Sequence, residues 1–413
     1  MSYPTRPIRR APRPDEPRIR FLIELSRALG TYGTSAHRLE DVVKYTASEL
    51  GLECHVFSTP TSVFLSIESD TDYVTYLSRI DSVEVNLSKL RRFDALFNAV
   101  ADGRMTPRTG VKKIKEIVRE PDPIPGWVQI LAFGVISACV AIFFGGGLRE
   151  IGASSFIGFL VGVLGLFVGK RREHARLMEF LAGFIASLVA GALTLLIGPY
   201  SPGVAVIAGL IVLLPGMTIT VSMTELATRN VVSGSARITG ALMIFLLIGF
   251  GVAAGNELVN VLIDVPASIE PTRLDGVWNI IAALVSSLLL VILFRAKWSD
   301  AWAMVLAVFL AFYSSRFGVE HFGLQFGVCF AGVCVGVLGN LFARAVDRPS
   351  LTVTLPGLLM LVPGSVGFRS LQSFMNHDTV GGVETAVNVV FIGVALVIGI
   401  LLANILVPPR KVL

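Results

Sequence analysis

Two stretches, Gly209-Leu-Ile-Val-Leu-Leu-Pro-Gly216 and Gly357-Leu-Leu-Met-Leu-Val-Pro-Gly364, decide how this chain is read. They lie 148 residues apart, share Gly, Leu, Leu, Pro and Gly, and are apolar at every other position. Each closes an apolar run with Pro-Gly. Proline removes a backbone donor and clashes with the preceding turn, and glycine tolerates a sharp bend. Inside lipid, the backbone groups freed by such a break are tolerated only where protein or a water-filled cavity satisfies them. Two short, Pro/Gly-interrupted segments at corresponding positions point to the binding site of a transporter built from repeats.

Long apolar runs surround both stretches. The chain has 413 residues, of which 53% are hydrophobic and 16% charged, against about 25% charged in an ordinary soluble domain. A span needs about 20 mostly apolar residues. The runs predict spans at Trp127–Phe144, Ile151–Val168, Met178–Ile197, Val204–Leu214, Ile238–Ala254, Val277–Phe294, Ala301–Tyr313, Gly323–Phe342, Leu351–Val362 and Ala386–Val407. Basic clusters precede the first span (Lys112, Lys113, Lys115, Arg119) and follow the second (Lys170, Arg171, Arg172, Arg176). Others follow the fourth (Arg229, Arg237), sixth (Arg295, Lys297), eighth (Arg344, Arg348) and tenth (Arg410, Lys411). Basic loops face the cytoplasm, so both termini are predicted inside. The loop after the fifth span carries Asp264, Glu270 and Asp275 against Arg273 alone. These flanking loops account for most of the net charge of +5 without a nucleic-acid partner. Gly158/Gly162, Gly165/Gly169 and Gly251/Gly255 sit four apart in their spans, a spacing that lets helices pack closely.

Ahead of the spans the periodicity changes. Residues 1–16, rich in Pro and Arg, read as a disordered tail, and 17–120 as a cytoplasmic α/β domain. Ile19, Phe21, Leu22, Leu25 and Leu29 form one helical face. A second helix opens at Ser35; strand-like runs follow at 55–57, 63–65 and 73–77, then helices at 87–100 and 111–118. Ser35, His37 and Glu40 cluster, but Ser35 and His37 are two apart and point away from each other on a helix. Ser35 reads instead as a helix cap, and His55 as a packed or surface histidine. Gly165-Leu-Phe-Val-Gly-Lys170 is one residue short of a phosphate loop and lacks the following Ser/Thr. Cys54, Cys139, Cys329 and Cys334 form no CxxC pair and no metal-spaced cluster with histidine. No cofactor is expected.

Five spans separate equivalent positions, so the second copy enters the membrane in the opposite sense. The predicted architecture is an α-helical polytopic membrane protein with a 5+5 inverted repeat, residues 121–265 and 266–413. The candidate binding residues are Pro215, Gly216, Thr218, Thr220, Glu225, Pro363, Gly364 and Ser365. Half-helix N-termini beyond each Pro-Gly would face a carboxylate, the hydroxyls would donate to the substrate, and Glu225 would carry a coupling proton or an ammonium contact. Ionisable residues in or near spans are functional candidates, and Glu257 and Glu384 are either that or interfacial end residues. Asn256, Asn340 and Asn388 either line a pathway or bridge helices.

The ordered motifs resemble the threonine/serine exporter family in its single-chain form. The likeness rests on Gly33-x-Ser35-x-x-Arg38-x-Glu40, Pro60-Thr61-Ser62, Asn86-Leu87 and Ala101-Asp102-Gly103 in the N-terminal part. It continues with 214–220 (LPGMTIT), Glu225-Leu226, Val232-Ser233-Gly234-x-x-Arg237 and 361–368 (LVPGSVGF). The resemblance implies a ten-span, proton-coupled secondary exporter in the cell membrane, taking threonine or serine, with relatives that move dicarboxylates. For a dicarboxylate, Arg237 and Arg369 are the candidate cationic contacts. The expected partners are a small-molecule substrate and the bilayer, and the sequence leaves room for a homo-oligomer. A membrane-anchored hydrolase using residues 17–120 is the reading from another class.

Overall fold

The computed structural model describes residues 16–409 except 69–72, 81–82, 169–176, 264–268, 363 and 376–377, together with the backbone but not the side chains of 374–375. Residues 1–15 of the tail, the cluster at Lys170–Arg176, Asp264, Pro363, Arg410 and Lys411 lie outside the described residues.

The N-terminal α/β unit runs α1 (Pro17–Thr31), α2 (Ala36–Glu49), β1 (Cys54–Thr59), β2 (Ser62–Glu68), β3 (Tyr73–Arg79), α3 (Leu87–Ala101) and α4 (Pro107–Arg119). The three strands form an antiparallel sheet in chain order, with Cys54 opposite Ile67 and Ser62 opposite Arg79. Alternation turns Val63, Leu65 and Ile67 into the core, as period-2 patterning requires. α4 starts four residues before the apolar pattern does. Pro107 occupies its first turn and the Thr106 hydroxyl accepts from Thr109 N at 3.3 Å, satisfying one of the free amides of a helix start.

The buried face of α1 is the predicted one, Ile19, Phe21, Leu22, Leu25 and Leu29. Its cluster does not stop at the unit's edge. Leu39, Val63, Phe93, Phe97 and Ile114 share one continuous apolar core with Ala283, Leu290, Val291, Phe294, Met304 and Val308 of later helices. Burying each large apolar side chain is worth about 1.5–3 kcal/mol, so this seam holds the unit against the membrane helices.

The membrane helices follow as α5 (Gly126–Phe143), α6 (Leu148–Val168), α7 (Met178–Ile197), α8 (Pro202–Gly209), α9 (Gly216–Ala227) and α10 (Val231–Leu262). Then come α11 (Gly276–Leu293), α12 (Ala301–Phe322), α13 (Leu324–Val346), α14 (Leu351–Leu361), α15 (Gly364–Met375) and α16 (Thr379–Leu406). Among the described residues nine helices are long and apolar enough to cross a membrane, counting Leu351–Ser373 as one. The expected span at Val204–Leu214 is helical only as far as Gly209, the end of α8. α8 has 8 residues and α9 has 12, so α8 rises only about 12 Å. Turns at Ile211–Leu214 and the Pro-Gly separate the two. The expected span at Ala301–Tyr313 continues nine residues further, to Phe322. Large apolar side chains such as Leu196, Phe250, Phe326 and Ile405 stand exposed along these helices, as a lipid-facing surface requires.

Element order and packing recur. α7 packs on α10 as α13 does on α16; α8 meets α6 and α7 as α14 meets α12 and α13; α9 lies on α10 as α15 lies on α16. The cross-contacts pair up too: α9 with α15, α9 with α16 and α15 with α10, α5 with α11. Buried carboxylates mark the start of the second helix in each series. Glu150 accepts from Gly147 N and Ser201 N, both at 2.9 Å. Asp300 binds Arg348 and takes Arg91 of α3 at 3.2 Å.

Candidate functional site

The two Pro-Gly breaks meet. Pro215 precedes α9 with ψ of 38°, and Gly216 N reaches back to Leu214 O at 2.8 Å. A Cβ placed on Gly216 would stand 3.1 Å from the Cα of Gly364, and one on Gly364 3.0 Å from the Cα of Gly216. Any other residue at either position would push the two chain breaks apart, so the closeness that glycine permits sets the crossing. Thr218 and Ser365 are half-buried beside the crossing.

Beside the crossing lies a cavity of about 470 Å3, within the roughly 300–1,000 Å3 of small-molecule sites. It opens between α2, α9, α13, α14 and α16. Of the predicted binding residues that are described, only Thr220 lines it. Met217, Leu355, Leu358 and Ile400 supply apolar wall, while Thr220, Thr224 and Thr228 line it from α9. Of these, the Thr220 hydroxyl was expected to donate to a substrate. Instead each spends its proton one turn back, on Gly216 O (3.4 Å), Thr220 O (2.9 Å) and Thr224 O (2.9 Å). Thr354 does the same to Ser350 O at 3.1 Å. Helical threonines bond this way readily, and the wall is left rich in acceptor lone pairs.

The cavity's charges come from the N-terminal unit, where no binding role was foreseen. Arg38 and Asp41, one turn apart on α2, are the charged residues among the described lining. Arg38 Nη1 donates to Ser350 Oγ at 3.3 Å. Its burial lowers its pKa and the Asp41 charge acts against that. His37 is pushed down to about 4, by burial first and then by the neighbouring Arg38 charge, so its ring is neutral near pH 7. The sequence carried one signal for Arg38, its place in the motif Gly33-x-Ser35-x-x-Arg38-x-Glu40.

Glu225 does not line the cavity. It is fully buried behind α9, and its oxygens accept from Ala36 N (2.9 Å), Ser233 Oγ (2.8 Å) and Arg237 Nε (3.1 and 3.0 Å). This overturns the expected role of Ser35. Ser35 occupies the cap position of α2, yet its side chain makes no cap bond; a carboxylate 189 residues away takes the first amide. Ser35 Oγ instead lies 3.5 Å from His37 Nε2, because a capping residue leaves the helical path and its side chain can turn toward the first turn. Glu40 accepts from Ser58 N at 3.0 Å, toward β1, so the three residues do not form a proton relay.

The remaining polar candidates are placed apart from the cavity or bridge helices. Glu257 and Glu384 are exposed. Asn256 bonds Ser187 across α7 and α10. Asn340, at the cavity wall, donates to Asn404 Oδ1 at 2.9 Å and Val407 O at 2.8 Å. Asn388 is half-buried. Arg237 is taken by Glu225, and Arg369 sits over the Phe144 ring at 5.0 Å; neither lines the cavity.

A polytopic helical protein with two crossed, broken helices beside a partly polar chamber has the architecture of a membrane transporter. Comparison with known proteins agrees. Residues 20–259 match the family described as "Putative threonine/serine exporter", and residues 279–406 the one described as "Threonine/Serine exporter, ThrE". The chain belongs to the ThrE threonine/serine exporter family, both models lying on one chain. It is 27% identical to pheromone-regulated membrane protein 10 of Candida albicans (strain WO-1) over 86% of this chain and 33% of that protein. The same-named protein of Eremothecium gossypii is 27% identical over 90% of this chain and 52% of its own length. An uncharacterized protein of Schizosaccharomyces pombe is 27% identical over 84% of this chain and 48% of its own. The chain thus spans between a third and about half of these relatives. No solved structure matches it.

Proposed function

We propose that this membrane transporter exports threonine or serine as a proton-coupled secondary carrier. The observation that carries the reading is the pairing of the Gly216–Gly364 crossing with a cavity whose described lining holds one cation and one anion. A net-neutral lining suits a zwitterion. A dicarboxylate would need a second cation, and Arg38 is already offset by Asp41.

In this reading residues 17–120 are a cytoplasmic domain, and 121–265 and 266–413 are inverted five-span repeats with both termini inside. Alternating access rocks the repeats about the crossing, with Pro215, Gly216, Thr218, Pro363, Gly364 and Ser365 at the moving joint and Thr220 toward the substrate. Glu225 is the proton site. Neutralising it would dissolve its pair with Arg237 and release Ala36, linking a proton to the hold on α2.

Efflux from proteoliposomes with an imposed pH gradient tests this. Threonine and serine should leave faster with the gradient than without, and succinate should not compete. Succinate efflux that threonine leaves untouched would move the function to dicarboxylates; efflux indifferent to the gradient would indicate a passive channel.

A further inference from the structure

We infer that the N-terminal unit completes the substrate site, with Arg38 taking the carboxylate and Asp41 the ammonium of a zwitterionic α-amino acid. This deepens the exporter reading and rests on it. The cavity is built from both ends of the chain. Arg38 and Asp41 enter from α2, the Thr220–Thr224–Thr228 ladder from α9, and Ser350 and Thr354 from α14. Among the described lining residues, the membrane helices supply neither charge.

The hydrogen-bond inventory of the wall fits that ligand. Guanidinium offers only donors and suits a carboxylate, often through two parallel bonds. Carboxylate offers only acceptors at neutral pH and suits an ammonium. The threonine ladder has spent its protons on backbone carbonyls, so it too offers acceptors, here to the substrate's side-chain hydroxyl or its ammonium. A neutral His37 beside Arg38 adds no second positive charge. The apolar residues Met217, Leu355 and Leu358 leave room for a methyl group, as threonine has and serine lacks.

Two elements hold the pair in place. Ser350 Oγ accepts from Arg38 at 3.3 Å, and Glu225 holds the first amide of α2 at 2.9 Å. The recognition pair is thereby tied to α9 and α14, which run into the two Pro-Gly breaks, so occupancy at Arg38 and Asp41 can bias the crossing.

The test uses full-chain protein in proteoliposomes, with threonine KM and Vmax measured for the wild type, Arg38→Gln, Arg38→Lys, Asp41→Asn and Ser350→Ala. Competition is measured with threoninol, which lacks the carboxylate, and 2,3-dihydroxybutyrate, which lacks the ammonium. Losing a charged hydrogen bond to substrate should raise KM about tenfold or more with Vmax largely kept. Arg38→Lys should recover part of that loss. Asp41→Asn should abolish the preference for threonine over 2,3-dihydroxybutyrate, and Arg38→Gln the preference over threoninol. Ser350→Ala should change KM less than Arg38→Gln, because it removes a support and not the charge. Asp41 is exposed, so Asp41→Asn keeps the packing and decides the case even if Arg38→Gln loosens the unit. A wild type that exports threonine while Asp41→Asn keeps both KM and analogue preference overturns this inference and leaves the exporter reading standing. A wild type that moves neither threonine nor serine overturns both.

Discussion

Glu225→Ala should loosen the hold of the membrane helices on α2 of the N-terminal unit. The carboxylate is fully buried and serves three donors, Ala36 N, Ser233 Oγ and Arg237 Nε. Its removal leaves the Arg237 guanidinium, whose side chain is 16% exposed, without its counter-charge. Removing one partner of a buried ion pair costs about 3–5 kcal/mol, and loss of a negative charge at a helix N-terminus adds about 0.3–1 kcal/mol. Most of that cost falls on the joint between α2 and the α9–α10 corner, where all three donors meet the carboxylate. Hydrogen exchange on the protein in nanodiscs measures it. If about 3 kcal/mol of local opening energy is lost, the Ala36 amide should exchange about a hundredfold faster. The Asp102 amide, which donates to Asn98 O at 2.9 Å within α3, should hardly change. A double-mutant cycle with Arg237→Ala should show coupling of about 2 kcal/mol or more, because deleting both charges leaves neither stranded. Equal exchange at Ala36 in variant and wild type, or additive single effects, would refute the idea that Glu225 clamps α2.

Three further outcomes follow from the same geometry. Gly216→Ala puts a Cβ 3.1 Å from the Gly364 Cα and should cost about 1–3 kcal/mol in thermal unfolding, with efflux falling more than folded yield. His37 has a folded pKa of about 4 against 6.5 unfolded, so its contribution is complete above pH 6.5 and is lost as pH falls toward 4. Denaturation of the N-terminal unit should therefore lose up to about 3 kcal/mol across that window, and His37→Asn should flatten the slope there. Asp300→Ala strands Arg91 and Arg348 and should cost about 3–5 kcal/mol. It should also speed proteolysis near α3, where Leu87 N and Ser88 N donate to Phe294 O (2.9 Å) and Arg295 O (3.2 Å).

The features legible from the residues were those a local rule imposes. A bilayer sets a minimum length and forbids unpaired backbone groups, so each span declares itself within about 20 residues. The strands and helices of the N-terminal unit showed through their periods of 2 and 3.6, with boundaries off by a few residues where Pro107 and Thr106 start α4. The Pro-Gly pair was visible as a motif. A half-helix beyond Pro215-Gly216 was expected; that α8 already ends at Gly209 was not, because the apolar pattern runs unbroken through Ile211–Leu214.

The candidate site was only half visible. Thr220 was found because it follows the break. Arg38 and Asp41 were not, because their positions on α2 are those of any solvated helix face; they become a site only when α14 and α16 stand opposite. Ser35 looked like a cap by type and place, yet the acceptor for the first amide is Glu225, from a distant part of the chain.

By itself, then, the sequence determined that the chain spans a membrane, that its spans recur about two Pro-Gly breaks and that a small α/β unit precedes them, since hydropathy, period and backbone chemistry act over a few turns. The tertiary structure alone decided that the two glycines touch, that Glu225 serves a helix of the other unit and that one cavity joins α2, α9 and α14. Those are meetings of residues up to 312 positions apart, as Arg38 and Ser350 are, and they depend on where packing brings helices together, which no local pattern encodes.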